Sequence, residues 1–324
     1  MAADGEHDSK VKSDPSRSGG ADEARHRGRE RDAGEVRTGV SNDWRRAREP
    51  GRIVCLTEET TEALYRLGEE DRIVGISAFT VRPPRAKHEK PVVSQFIKAE
   101  MDKILDLRPD LVLGFSDLQA DICAELIRNG IEVHCFNQRS VAGILGMIRA
   151  LGALVGVPQR ADALAGALRA ELEAIAGAAE RFPWHPRVYF EEWHDPLISG
   201  IRWVMELVEI AGGVDIFPEL KSTRLARERT LEGPEFVLRR NPDVYMASWC
   251  GRKFRRDYLE RRAGWLEAPF MKEGRVYEID SSAILQPGPG ALTDGVRVIH
   301  RILAEVTGGE PAPVALAAGT WDEA

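Results

Sequence analysis

Residues 101–112 and residues 234–245 follow one plan: a short helical stretch, a turn built on a Pro-Asp pair, then an apolar strand. In the first copy Met101 to Asp106 leads to Pro109-Asp110 and Leu111-Val112. In the second, Pro234 to Leu238 leads to Pro242-Asp243 and Val244-Tyr245. An acid, Asp102 or Glu235, stands seven residues before the proline in each copy. A unit that occurs twice predicts two similar α/β halves. Matched surface acids on two halves suggest a two-lobed binding protein that docks on a two-fold symmetric partner. The same acids have a local explanation, because a carboxylate in a helix's first turn gains about 0.3–1 kcal/mol from the helix dipole.

The chain has 324 residues, enough for two compact domains of ordinary size. A net charge of −7 argues against nucleic acid as the main partner. No apolar run is long enough to span a bilayer. Cys55, Cys123, Cys135 and Cys250 show no CxxC spacing, so zinc-ribbon and thioredoxin-type readings lack support. Their scatter fits buried free thiols in a reducing compartment.

Residues 1–50 are polar and rich in Arg, Asp, Glu, Gly and Ser. Such a segment buries too little apolar surface to offset the entropy of ordering, which predicts disorder. No hydrophobic region with a small-residue cleavage site follows Met1, so the chain as written is not expected to use a standard signal peptide. The alternative is a mis-assigned start codon.

Apolar runs alternate with helical patterns from Arg52 onward. Strands are expected at 52–56, 72–77, 91–93, 110–114 and 131–136, with helices at 58–67, near Asp102, and at 119–129. Continuous apolar strands between helices predict a parallel sheet covered on both faces. Residues 51–140 form this first lobe. Residues 141–182 change to an Ala- and Leu-rich helical period broken at Pro158, which reads as connecting helices stiff enough to oppose large hinge closure. Residues 183–308 repeat the alternation, with strands at 187–191, 243–247 and 274–279 and helices near 203–211, 234–240, 257–262 and 293–305. Residues 309–324 form a loose tail.

Ligands of open parallel sheets bind beyond the carboxyl ends of the strands. Five aromatic residues stand at those exits: Phe79, Phe96, Phe115, Trp193 and Trp249. Together they predict an aromatic wall for a large, flat, partly apolar ligand, whereas singly each is ordinary packing. His194, Cys250 and Gln286 fall at the same rim. An imidazole or thiolate there has the chemistry to reach a metal carried by the ligand, although a lone loop histidine is more often simply hydrogen-bonded. No metal site of the protein's own is expected. The chain contains no GxGxxG after the first strand, GxxxxGK[ST], HExxH or GxSxG, so no enzymatic activity is expected.

The first-lobe segments, the Arg108 to Leu113 turn and strand, and Glu206 to Gly213 resemble the vitamin B12 and ferric-siderophore substrate-binding proteins of ABC importers. Glu192-Trp193, Asp195-Pro196 and Gln286 to Pro289 are most similar to the cobalamin-binding branch. The resemblance covers roughly residues 51–306. It implies two Rossmann-like lobes with parallel sheets joined by one long connecting helix, the helical-backbone periplasmic-binding-protein type. It also implies cobalamin, or a related corrinoid, as transported ligand in the inter-lobe cleft and not as catalytic cofactor. Phe79, Phe96 and Phe115 would stack on the corrin. Asp102 and Glu235 would meet arginines of the importer's permease, with the binding protein a monomer. Location stays open between the periplasm, by resemblance, and the cytoplasm, by the lack of a signal. Two other readings stay open. One is a ferric siderophore or haem in the same fold, with Arg82, Arg85 and Arg202 as candidate bases. The other is a cytosolic corrinoid-binding protein or metallochaperone using His194 and Cys250.

Overall fold

The computed structural model describes residues 49–313; the expectations for residues 1–48 and 314–324 lie outside the described residues. The first lobe runs β1 (Ile53–Cys55), α1 (Glu58–Arg66), β2 (Ile73–Ser77), α2 (Ala86–Glu89), β3 (Val92–Gln95), β4 (Lys98–Ala99), α3 (Met101–Asp106), β5 (Leu111–Phe115), α4 (Ala120–Arg128) and β6 (Val133–Phe136). Its six strands lie in the order β4-β3-β2-β1-β5-β6, parallel except for the β3–β4 pair. Two connecting helices follow, α5 (Val141–Leu154) and α6 (Pro158–Ala179). Pro158 opens the longer one, where its missing N–H is no loss.

The second lobe runs β7 (Arg187–His194), β8 (Leu197–Ser199), α7 (Arg202–Ile210), β9 (Val214–Asp215), α8 (Pro234–Leu238), β10 (Val244–Ala247), α9 (Arg256–Glu260), α10 (Pro269–Lys272), β11 (Val276–Glu278), α11 (Ser281–Ile284) and α12 (Val296–Thr307). Its strands lie in the order β11-β10-β7-β8, with β9 also on β7. The β7–β8 pair is antiparallel. Sequence periodicity did not anticipate this hairpin. Nor did it anticipate the π-helical turn Ala291–Gly295 that leads into α12.

The repeated segments do fold alike. α3 precedes β5 as α8 precedes β10, and Arg108 and Asn241, just before the prolines, share a positive φ of 46°. Neither residue is glycine, so both turns hold a backbone conformation that costs a residue with a Cβ.

Alternation along the strands explains how each sheet is covered. Ile53 and Cys55 of β1, and Leu111 and Leu113 of β5, face a core shared with α5 and α6. Val54 and Val112, one residue along, face a separate cluster with Ile104 and Leu126. In the second lobe Val188, Val244 and Met246 join the shared core, while Tyr189 and Tyr245 enter a cluster with Trp265 and Phe270. The connecting helices therefore do more than link two bodies: their apolar side chains fuse one face of each sheet into a continuous interior.

Polar stitches cross between the halves beside that interior. Gln138 Nε2 donates to the Pro287 carbonyl at 2.9 Å, and Gly290 N–H donates to Glu62 Oε2 at 2.9 Å. Arg82 meets Asp294 at 2.5 Å, and the first residue of the connecting helix α5, Val141, donates its N–H to Glu206 Oε2 of the second lobe at 2.7 Å. Gly288 is glycine because of this approach: a Cβ there would lie 2.6 Å from Glu59 Cβ.

Candidate ligand cleft

Side chains from both lobes meet around a cavity of about 600 Å³ at the carboxyl ends of the strands. The first lobe contributes Asp117, Asn137 and Arg139; the second contributes Ser222, Thr223, Arg224, Leu225 and Glu228. Local structure sets each one. Ser116 takes a φ of 60° and its Oγ accepts from Leu118 N–H at 3.3 Å, so the chain turns sharply after β5 and presents Asp117. Arg139 follows β6, and its Nε donates to Asn137 Oδ1 at 3.1 Å. Its guanidinium lies 5.1 Å over the Phe115 ring and 3.6 Å from Asp117. Burial holds the Arg139 pKa below the usual arginine value; Asp117 opposes that and Arg229, then Arg224, add to it from the other lobe. Glu228 Oε2 accepts from the N–H groups of Arg224 and Leu225, both at 2.9 Å, which ties the second-lobe wall into a compact turn.

The expected aromatic wall does not gather around this cavity. Phe79, after β2, is 51% exposed. Phe96 is half-buried against the shared core. Phe115 is 5% exposed and covered by Arg139, while Trp249 is 3% exposed inside the second-lobe aromatic cluster. Trp193 is half-buried and donates from Nε1 to the Asp195 carbonyl at 2.8 Å. For Phe115 and Trp249 the physical reason is competition: a ring at a strand exit can turn down into the sheet's own core, where it loses more water than at a rim, whereas Phe79 stays in solvent. Gln119, fully buried, fixes the strand ends that carry two of these rings. Its Oε1 accepts from Phe115 N–H at 2.8 Å, and its Nε2 donates to the carbonyls of Phe96 at 2.8 Å and Leu56 at 3.3 Å.

His194 is buried and stacks on Trp249 with ring centroids 4.3 Å apart. Its Nε2 meets Arg252 Nη1 at 3.1 Å, so that nitrogen accepts from a cation. Burial and then Arg252 lower its pKa. A metal ion at Nε2 would have to displace a guanidinium. Cys250 is exposed, and burial of its thiol group raises its pKa, away from the thiolate a metal prefers. Gln286 is half-buried at the start of the loop that reaches α1. Beneath these residues Glu191 is fully buried and takes two guanidinium bonds from Arg262, at 2.7 and 3.0 Å, and one from Trp249 Nε1 at 3.2 Å.

The bases expected to meet an anionic chelate are committed elsewhere: Arg82 to Asp294, Arg85 to Glu70 and Glu89, Arg202 to Glu206. Arg139 and Arg224 stand at the cavity instead. Arg139 was findable, since it directly follows a strand exit. Arg224 lies in a segment of 3₁₀ turns between β9 and α8, where no periodicity marks it. Asp102 and Glu235 are exposed in the first turns of α3 and α8; Glu235 has Arg239 at 3.9 Å, and Asp102 has no ion pair among the described residues.

Two lobes around an inter-lobe cavity, joined by helices, define a substrate-binding component of an ABC importer. The chain belongs to the periplasmic binding protein family, whose pattern it matches over residues 53–283. It is 27% identical over 261 residues to the uncharacterized ABC transporter substrate-binding lipoprotein YvrC of Bacillus subtilis, covering 77% of this chain and 78% of that one. It is 26% identical over 253 residues to a cobalamin-binding protein of Halobacterium salinarum, covering 74% of this chain and 66% of that one. Among solved structures it is similar to the periplasmic heme-binding protein RhuT of Roseiflexus, with a TM-score of 0.67, 25% identity, and 78% of this chain and 98% of that one covered. Proteins of this kind bind a small ligand and deliver it to permease subunits; the family is typically periplasmic or exported as lipoproteins.

Proposed function

We propose that this protein captures cobalamin or a closely related corrinoid in the inter-lobe cavity and presents it to an importer's permease, without transforming it. The observation that carries this is the chemistry of the cavity wall. Asn137, Ser222, Thr223, Asp117, Glu228 and two arginines offer donors and acceptors from both sides. A corrinoid is fringed with carboxamides that need both kinds of partner. Haem iron asks its protein for an axial His, Cys, Met or Tyr. None of those types lines the cavity among the described residues. A corrinoid brings axial ligands of its own. The likeness to a cobalamin-binding relative supports the same reading.

The second reading is an anionic ferric chelate, favoured by Arg139 and Arg224 at the cavity. Titration of the purified protein with cyanocobalamin, haemin and a ferric catecholate, followed by visible absorption, separates the three. Saturable one-to-one binding of cyanocobalamin, tighter than the other two, is the expected result. Preference for the catecholate moves the assignment to siderophores, and preference for haemin refutes the wall argument.

For delivery, Asp102 and Glu235 are the docking acids of this reading, on a monomeric carrier. Their equivalent positions on two similar units support it, as does their exposure. Asp102→Lys with Glu235→Lys should leave ligand affinity unchanged and abolish transport in cells that depend on the importer; unchanged transport removes the docking role. Export belongs to the same reading, and cell fractionation tests it.

A further inference from the structure

A second cavity, of about 290 Å³, lies at the carboxyl ends of β7 and β10 and shares no lining residue with the first. Its lining is His194, Trp249, Tyr258, Arg252, Lys253 and Arg255. The rings form a fixed cluster. Trp249 and His194 stack at 4.3 Å, and Tyr258 stands edge-on to both, at 5.8 Å from Trp249 and 4.8 Å from His194. Three cationic side chains gather beside them.

The local arginines show what is ordinary here. Arg255 and Arg261 pair with Asp257, Arg256 with Glu260 and Arg262 with Glu191. Arg252 departs from this pattern. Among the described residues no carboxylate lies within ion-pair distance of Arg252 or Lys253, and the Arg252 guanidinium turns to the neutral imidazole nitrogen of His194, 3.1 Å away. Of the acids near this corner, Glu191 is engaged by Arg262, Asp257 by Arg255, and Glu278 by the N–H of Phe254 at 2.9 Å; Asp195 acts on His194 but lies outside ion-pair distance of Arg252 and Lys253. Arg252 and Lys253 are exposed at the mouth of this cavity, Arg252 also lying 5.8 Å over the Trp193 ring, so both charges are open to an anion that seats there.

We propose that this cavity is a binding site for a small aromatic anion, an aryl phosphate or aryl carboxylate. Arg252 and Lys253 hold the charged head group, and the ring packs against Trp249 and Tyr258. A guanidinium fork suits the planar or tetrahedral oxygens of either head group. The ring preference follows from the walls: half-buried Tyr258 and the edge of the stacked His194–Trp249 pair line the cavity beside the cations, and an aryl group can pack on them where a bare oxyanion cannot.

The test is calorimetric titration of the full chain, at constant ionic strength, with phenyl phosphate, benzoate and the neutral benzamide. Phenyl phosphate or benzoate should bind at one site at least tenfold more tightly than benzamide, and the tighter of the two identifies the head group. Arg252→Gln with Lys253→Gln should weaken that binding at least tenfold. Lys253→Gln alone, on an exposed side chain, should weaken it in the same direction and covers the case of a misfolded double variant. Equal affinity for benzamide and the anions overturns the proposal, as does anion binding that survives these substitutions. The result is independent of the corrinoid titration.

Discussion

Arg52 and Arg187 occupy the same place in the two lobes, at the start of β1 and β7, and each clamps the turn that ends the repeated helix. Arg52 Nε and Nη2 donate to the Leu107 carbonyl at 3.0 and 2.7 Å, and Nε also reaches the Arg108 carbonyl at 3.2 Å. Arg187 makes the matching bonds to Arg240 at 2.9 and 2.7 Å and to Asn241 at 3.3 Å. Asp110 and Asp243 return the contact, accepting from the backbone N–H groups of Arg52 and Arg187 at 2.9 and 2.8 Å. The positive-φ residue in each turn is therefore held by side chains on a neighbouring strand.

Arg187→Ala should cost about 1–2 kcal/mol, since it strips several bonds from charged donors at an exposed site. Arg187→Lys should recover little, because an ammonium cannot make the two-pronged contact. Urea denaturation of the three proteins checks this; a lysine variant as stable as wild type defeats the clamp.

Glu191 and Arg262 make a buried, two-bond ion pair that also receives Trp249. Glu191→Gln leaves Arg262 without its counter-charge and should destabilise the fold by about 3–5 kcal/mol. Thermal unfolding followed by near-ultraviolet circular dichroism reads both the midpoint and the Trp249 environment. A loss below 1 kcal/mol would show the pair to be replaceable.

Burial raises the pKa of Glu58 to about 8 and of Glu59 to about 7, with Glu62 adding to both and Arg82 opposing it at Glu58. The folded state then keeps protons that the unfolded chain releases near its ordinary carboxylate pKa. Stability from these two groups is full below that value and falls as pH rises toward 8. Glu58→Gln should flatten the slope between pH 5 and 8. Denaturation midpoints across that range are the measurement, and a slope unchanged by the substitution rejects the assignment.

Gly288 and Gly177 make a contrasting pair. A Cβ at Gly288 would meet Glu59 Cβ at 2.6 Å and Cα at 3.0 Å, whereas one at Gly177 in α6 meets nothing within 4 Å. Gly288→Ala should destabilise by about 1–3 kcal/mol through overpacking. Gly177→Ala should stabilise by up to about 1 kcal/mol through helix propensity. Equal effects on the denaturation midpoint would contradict the close approach of the two lobes.

Much of the architecture was legible in the chain. Pro158 marked the break between α5 and α6, and the Pro-Asp turns marked two similar units, because proline geometry and apolar alternation are local properties. The cavity was not legible to the same degree. Position at a strand exit pointed to Phe115 and Trp249, yet both rings are buried, and Arg139 stands where Phe115 was expected. Arg224 carried no signal at all.

The order of residues alone thus settled the alternation of strands and helices, the duplication, and the family resemblance, all of which depend on neighbours a few positions apart. Tertiary structure decided which side chains face the cavity, which arginines are already neutralised, and how Glu62 and Gly290 stitch the lobes. Those outcomes depend on charges and surfaces that come together only after distant segments have packed, where desolvation and pairing choose among residues that the linear chain presents as equals.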